Sequence, residues 1–302
     1  MSAEAQYGKE SGGDGSFNRQ QSAFREHVTE RPEPGRYHLY VSLACPWASR
    51  ILIARKLKQL EELLTVTVVD PIRDERGWRF TDEPDPVNGF EFLAEAYEQT
   101  QPGFSDRVTV PVLWDIAEGR IVNNESAELL RMLNGWSSDG PDLYPETHRA
   151  EIDELNERIY NTLNNGVYRA GFATRQAAYE EGVRGVFETL AWLSERLAGQ
   201  RWLVAGNDQP TEADWRLFVT LVRFDAAYVG HFKCNIHRIA DDPVLEGYLR
   251  DLYQQPGIAE TVSIDHIKRH YYGTHEKINP TRIVPVGPTL HLDGPHERDR
   301  LG

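Results

Sequence analysis

The chain is predicted to fold as an α/β domain followed by an all-helical domain. Three observations carry that expectation. Over residues 37–133 the apolar pattern switches repeatedly between strand and helix periods and includes one hairpin. From about residue 144 to 265 the pattern is helical almost throughout. With 302 residues the chain is long enough for two domains.

Residues 1–36 are polar and rich in Gly, Ser, Pro and charge, and read as an irregular extension. "YHLYVSL" (37–43) alternates as a strand does. "PWASRILIARKLKQLEELL" (46–64) has apolar residues at helical spacing, with Pro46 at a first-turn position that tolerates it. "TVTVVD" (65–70) is a second strand, 71–90 a Pro/Gly/Asp loop, and "EFLAEAYEQT" (91–100) a short helix. "VTVPVLWD" (108–115) and "GRIVNN" (119–124) form a hairpin around Ala117-Glu118-Gly119, and "ESAELLRML" (125–133) is a helix. In "QPTEADWRLFVTLVRF", Thr211 stands three residues before Asp214 at a helix start, a capping box with Asp in the place of Glu. Residues 279–302 are Pro/Gly-rich coil. The boundaries expected are therefore an extension over 1–36, an α/β domain over 37–140, a helical domain over 141–278 and a tail over 279–302.

Composition excludes several classes. No apolar run approaches the roughly 18 residues that span a bilayer, so no membrane partner is expected. The first residues have neither basic start nor apolar core, so no signal peptide is read and the cytoplasm is the expected location. Asp and Glu number 47 against 33 Lys and Arg, a net charge of −14, with no basic footprint for nucleic acid. Only six of the cations are lysine. Such a balance suits either a salt-adapted microbe or an ordinary acidic cytosolic protein.

Two cysteines, Cys45 and Cys234, make no disulfide framework. Cys45 precedes Pro46 where a strand hands over to a helix. A helix N-terminus has unpaired N–H groups and positive potential, which stabilise a thiolate. Cys45 is therefore a candidate nucleophile. Position 48 is Ala, so no second thiol can resolve a mixed disulfide, and an external thiol is needed. Val110-Pro111 opens a strand and is either a cis bond that presents Val110 to an extended ligand or a trans proline on an edge. Glu125 and Ser126 open a helix and either bind an α-amino acid head group or simply cap. "HFKCNIH" sets His231, Cys234 and His237 three apart without a fourth ligand, so no metal is expected.

Together these segments resemble the glutathione transferases, and more closely the glutathionyl-hydroquinone reductases, or xi-class transferases. The carriers are "CPWASR" (45–50), "GWRF" (77–80), "RVTVPVLWD" (107–115), "NNESAELLRM" (123–132), "NNGVYRAGFA" (164–173), "FKCN" (232–235), "HIKRHYYGTH" (266–275) and "INPTRIVPVGP" (278–288). The resemblance implies a thioredoxin-like first domain, an all-helical second one and a homodimer. It implies that Cys45 attacks the glutathione sulfur of a glutathionyl-hydroquinone and that a second glutathione releases glutathione disulfide. It implies roles as well. Trp78, the backbone of Arg107, Val108, Thr109 and Val110 with Pro111, and Glu125 and Ser126 bind glutathione. Tyr168 is the ring-carbon acid, and Tyr228 and Tyr271 are hydroxyls near the thiolate, with Tyr272 the neighbour competing for the last place. Position 49 is Ser where relatives often carry His. In a salt-adapted host γ-glutamylcysteine is an alternative thiol. Two other activities suit the scaffold, glutaredoxin-like thiol transfer and reductive dehalogenation, as does a non-catalytic binding module.

Overall fold

Residues 10, 12–81 and 83–301 are described by the structure, a computed structural model. The chain divides into two units: Glu10 with Arg19–Pro141, and residues 12–18 with those from Asp142 onward.

The first unit is built on four strands, β1 (Tyr37–Val41), β2 (Thr65–Val68), β3 (Val112–Asp115) and β4 (Arg120–Asn123), in the order β2-β1-β3-β4. β1 runs parallel to β2, and β3 is antiparallel to β1 and β4. All five residues of β1 are buried, as befits a central strand. His38 survives there because Thr65 and Thr67 on β2 place hydroxyls 2.7 and 2.9 Å from its two ring nitrogens. Helices α1 (Pro46–Leu57), α2 (Leu93–Thr100) and α3 (Ser126–Trp136) complete the unit, with α1 packed on α3.

The sequence predicted a helix to residue 64, but α1 stops at Leu57. Gln59 takes φ +53°, a left-handed residue that ends the helix, and Leu60 N–H turns back to the Arg55 carbonyl. Arg55 then donates to the carbonyls of Leu64 and Glu61. Leu60, Leu63 and Leu64 still reach the core, delivered by a turn at helix-like spacing. The strand expected from 108 begins only at Val112, after a cis Val110–Pro111 bond. The hairpin turn forms where expected: the Asp115 carboxylate accepts from the N–H groups of Ala117 and Glu118, and Gly119 supplies φ +61°. Part of the irregular extension lies along the free edge of β4, where Glu26 N–H donates to Val122 and Asn124 N–H donates to Phe24.

The second unit is helical: α4 (Arg149–Ile159), α5 (Gly166–Gly171), α6 (Gln176–Leu197), α7 (Glu212–Arg223), α8 (Pro243–Tyr253) and α9 (Ile264–Thr274). α4 and α7 each run on into a π-helical turn, Tyr160–Asn164 and Phe224–Tyr228. Every residue of α7 is buried, so it is the axis of this unit. Its capping box is present, and the Asp214 carboxylate also accepts from Leu203 N–H and from the Tyr248 hydroxyl. The C-terminal residues are coil but fastened. Arg298, buried, donates to the carbonyls of Leu197, Gln200 and Arg201. Among the described residues no helix is long and apolar enough to cross a membrane.

Candidate active site

Cys45 is the N-cap of α1, in extended backbone conformation, with Pro46 as the first helical residue. The chain enters through a turn, Cys45 N–H to the Ser42 carbonyl, and the helix starts with Ser49 N–H donating to the Cys45 carbonyl. The thiol is partly exposed, and Sγ lies 3.4 Å from the Val110 carbonyl. The cis bond at Val110–Pro111 thus belongs to the segment that meets the Cys45 thiol.

Residues 107–110 are held from one side by side chains. The Gln20 amide pairs with both backbone groups of Arg107, accepting from N–H at 3.0 Å and donating to C=O at 3.3 Å. The Tyr97 hydroxyl donates to the Thr109 carbonyl at 2.8 Å and accepts from Thr109 N–H at 3.3 Å. Asn124 in turn donates to Tyr97 Oη at 3.0 Å. Successive peptide groups in extended chain point to opposite sides. The peptide groups of Arg107 and Thr109 are occupied by Gln20 and Tyr97, while the Val110 carbonyl turns to Cys45. The expected backbone site is therefore not uniform along 107–110.

Glu125 is the N-cap of α3, accepting from Ala127 N–H, and its second carboxylate oxygen accepts from Ser22 Oγ at 2.9 Å. Glu125 therefore caps the helix, with a hydroxyl added from the extension. Ser126 Oγ accepts from the Arg50 guanidinium, which also lies 5.2 Å over the Trp47 ring. Trp78 is buried, with the Arg73 guanidinium 4.8 Å from its ring centre.

In the helical unit the three named tyrosines come together. Tyr168 on α5 and Tyr271 on α9 share a hydrogen bond of 2.6 Å, and Tyr271 and Tyr228 one of 3.0 Å. Tyr271 is bonded to both of the others. Tyr228 and Tyr271 are fully buried, whereas Tyr168 is partly exposed. Burial pushes the Tyr228 and Tyr271 hydroxyls well above the usual phenol range, and the buried Arg223 guanidinium pulls both the other way. Phe17, Phe172 and Phe232 pack on Tyr168. Tyr272 points elsewhere, its ring 5.0 Å from that of His231.

The remaining singled-out residues find separate partners. His231 Nε2 lies 3.0 Å from His275 Nδ1, and His237 packs edge-on against Phe187. Cys234 is buried, and that burial pushes its thiol up to about 12. Sequence reasoning missed Gln20, Tyr97 and Arg223. Gln20 acts across 87 residues, Tyr97 reads only as a buried helix residue, and Arg223 is hidden by the apolar stripe that surrounds it.

A partly exposed thiol at a helix start can attack sulfur, and a chain of three hydroxyls can carry a proton to or from its exposed member.

The descriptions "Glutathione S-transferase, N-terminal domain" and "Glutathione S-transferase, C-terminal domain" match residues 44–135 and 176–251. Glutathionyl-hydroquinone reductase PcpF of Sphingobium chlorophenolicum is 50% identical, over 96% of this chain and 95% of its own. The glutathione-bound structure of YqjG, a glutathione transferase homolog from Escherichia coli K-12, is 54% identical. It has a TM-score of 0.85 and covers 88% of this chain and 89% of its own. The glutathione-S-transferase Xi of Phanerochaete chrysosporium superposes with a TM-score of 0.90 at 46% identity, covering 96% and 98%.

Proposed function

This chain belongs to the glutathione S-transferase family, and we propose that within it the protein is a glutathionyl-hydroquinone reductase. The observation that carries the reading is Cys45, the N-cap of α1, with Ala at position 48 in place of a resolving thiol. Relatives of that name at about half identity support it.

In this reading the Cys45 thiolate attacks the glutathione sulfur of the conjugate. The sulfur–aryl carbon bond breaks, and the ring carbon leaves with a proton supplied by Tyr168. Cys45 is left as a mixed disulfide with glutathione. A second glutathione attacks as thiolate, forms glutathione disulfide and returns Cys45. The two electrons from the thiols end in the new carbon–hydrogen bond. Glutathione pairs with the Val110 backbone beside Cys45, with Val108 and Pro111 shaping that edge. Its γ-glutamyl end meets Glu125 and Ser126, and Trp78 packs nearby. Arg107 and Thr109 support that edge from behind, because Gln20 and Tyr97 already hold their peptide groups. Tyr228 and Tyr271 lower the barrier by donating toward developing charge. The protein works in the cytoplasm as a homodimer. The deciding experiment is release of free hydroquinone from a glutathionyl-hydroquinone, followed by chromatography with glutathione and with γ-glutamylcysteine. One hydroquinone should appear per mixed disulfide resolved. Thiol transfer to small disulfides without any hydroquinone release would replace this reading with the glutaredoxin-like one.

A further inference from the structure

The stretch 107–110 is fastened by residues that precede the matched transferase region. Gln20 uses both ends of its side-chain amide on one residue, Arg107, as a neighbouring strand would. Glu10 joins the two. Its carboxylate accepts from Gln20 N–H at 3.0 Å and from Arg107 Nη1 at 2.6 Å. The Glu10 side chain is 5% exposed and that of Arg107 14%. A buried, charge-assisted contact is costly to break, because either charge alone is left uncompensated. The three residues therefore form a closed loop of hydrogen bonds that sets where the 107–110 backbone lies. Three residues on, Val110 presents its carbonyl to the Cys45 thiol.

We propose that Glu10, Gln20 and Arg107 form a positioning clamp that fixes the backbone edge used by glutathione, and so sets thiol affinity without touching the thiol. It rests on the glutathione reading above. Extended-ligand pairing needs its receiving peptide groups within a few tenths of an ångström, since hydrogen bonds weaken steeply with distance and angle. Releasing the clamp lets the edge drift, and the loss falls on binding, not on the chemistry at sulfur.

The test is isothermal titration of glutathione into the full chain carrying Cys45→Ser, alone and combined with Gln20→Ala, Gln20→Glu or Glu10→Gln. Kinetics are run in the Cys45 background. Gln20→Ala and Glu10→Gln should each raise Kd about tenfold, the worth of roughly one buried hydrogen bond. Gln20→Glu should raise it further, because a carboxylate oxygen then faces the Arg107 carbonyl. The KM for glutathione should rise in parallel while kcat at saturating thiol stays within about twofold. Should Gln20→Ala not fold, Gln20→Asn carries the same expectation. Kd values within twofold of the parent in folded variants, or a fall in kcat with KM unchanged, would overturn the clamp. Hydroquinone release enters neither Kd, so its absence in the unsubstituted chain would refute the functional reading and leave the clamp judged by binding alone.

Discussion

The thiol end of the first unit and the tyrosine cluster of the second are made from different material. Around Cys45 the groups on offer are mostly main-chain: the start of α1, the Val110 carbonyl and the turn into α3. Side chains such as Tyr97 and Gln20 serve to hold that main chain still. In the helical unit the groups brought together are three side-chain hydroxyls, and the backbone is spent inside helices. A site made of peptide groups can absorb many side-chain changes, because every residue other than proline supplies the same N–H and C=O. A site made of hydroxyls loses its function with one oxygen.

The largest expected contrast lies between the two thiols. Cys45→Ala should abolish hydroquinone release to background, whereas Cys234→Ala, deep in the helical unit, should keep turnover within about twofold and cost about 1 kcal/mol of stability. Steady-state assays with thermal melts compare them directly, and equal losses of activity would erase the distinction between a reactive and a structural cysteine.

Next comes the exposed end of the hydroxyl chain. Tyr168→Phe removes one oxygen and should lower kcat about 10²-fold, within the range of a lost general acid. Full kcat in this variant would shift proton supply to another group.

A smaller effect is expected from the buried members. Tyr271→Phe removes the hydroxyl that bonds both of the others, whereas Tyr228→Phe leaves the bond between Tyr168 and Tyr271 in place. Both should raise the pH at which Cys45 becomes alkylated, the first more than the second. Identical profiles in the two variants would mean that the order of the chain has no bearing on function.

The mildest comparison is of buried imidazoles, His38 in the sheet and His231 among the helices. Burial pushes each down to about 4. Below the ordinary value of about 6.5 the unfolded chain takes up protons that the folded one refuses. Stability from each is therefore whole above about 6.5 and drains as pH falls toward 4, by about 2 kcal/mol at pH 5. Melting between pH 7 and 5 should show a slope that His38→Gln and His231→Gln each flatten. An unchanged slope in either would mean that the imidazole in question is protonated in the fold.

Local signals were legible. The Cys45-Pro46 helix start, the Asp115–Gly119 turn and the Thr211/Asp214 cap each need only a few neighbouring residues, and each formed where the pattern put it. The end of α1 was not legible, because Leu60, Leu63 and Leu64 keep helical spacing while Gln59 breaks the helix. Gln20 and Arg107 are 87 residues apart, and no pattern connects them. The tyrosines entered through resemblance alone. The choice between Tyr271 and Tyr272 needed coordinates, since adjacent helix positions point about 100° apart and only one can face a given neighbour.

The π turn at Phe224–Tyr228 gives that angle a second meaning. Val229 N–H reaches back five residues to the Phe224 carbonyl, so the turn holds one residue more than an α-helix of equal length. Tyr228 owes its bearing to that surplus. Deleting a single residue, Ala226 or Ala227, would let the turn tighten toward the roughly 100° step of an α-helix and shift Tyr228 off its present bearing, carrying the phenol off Tyr271. The address of this hydroxyl is thus written in a count of residues as well as in their identity.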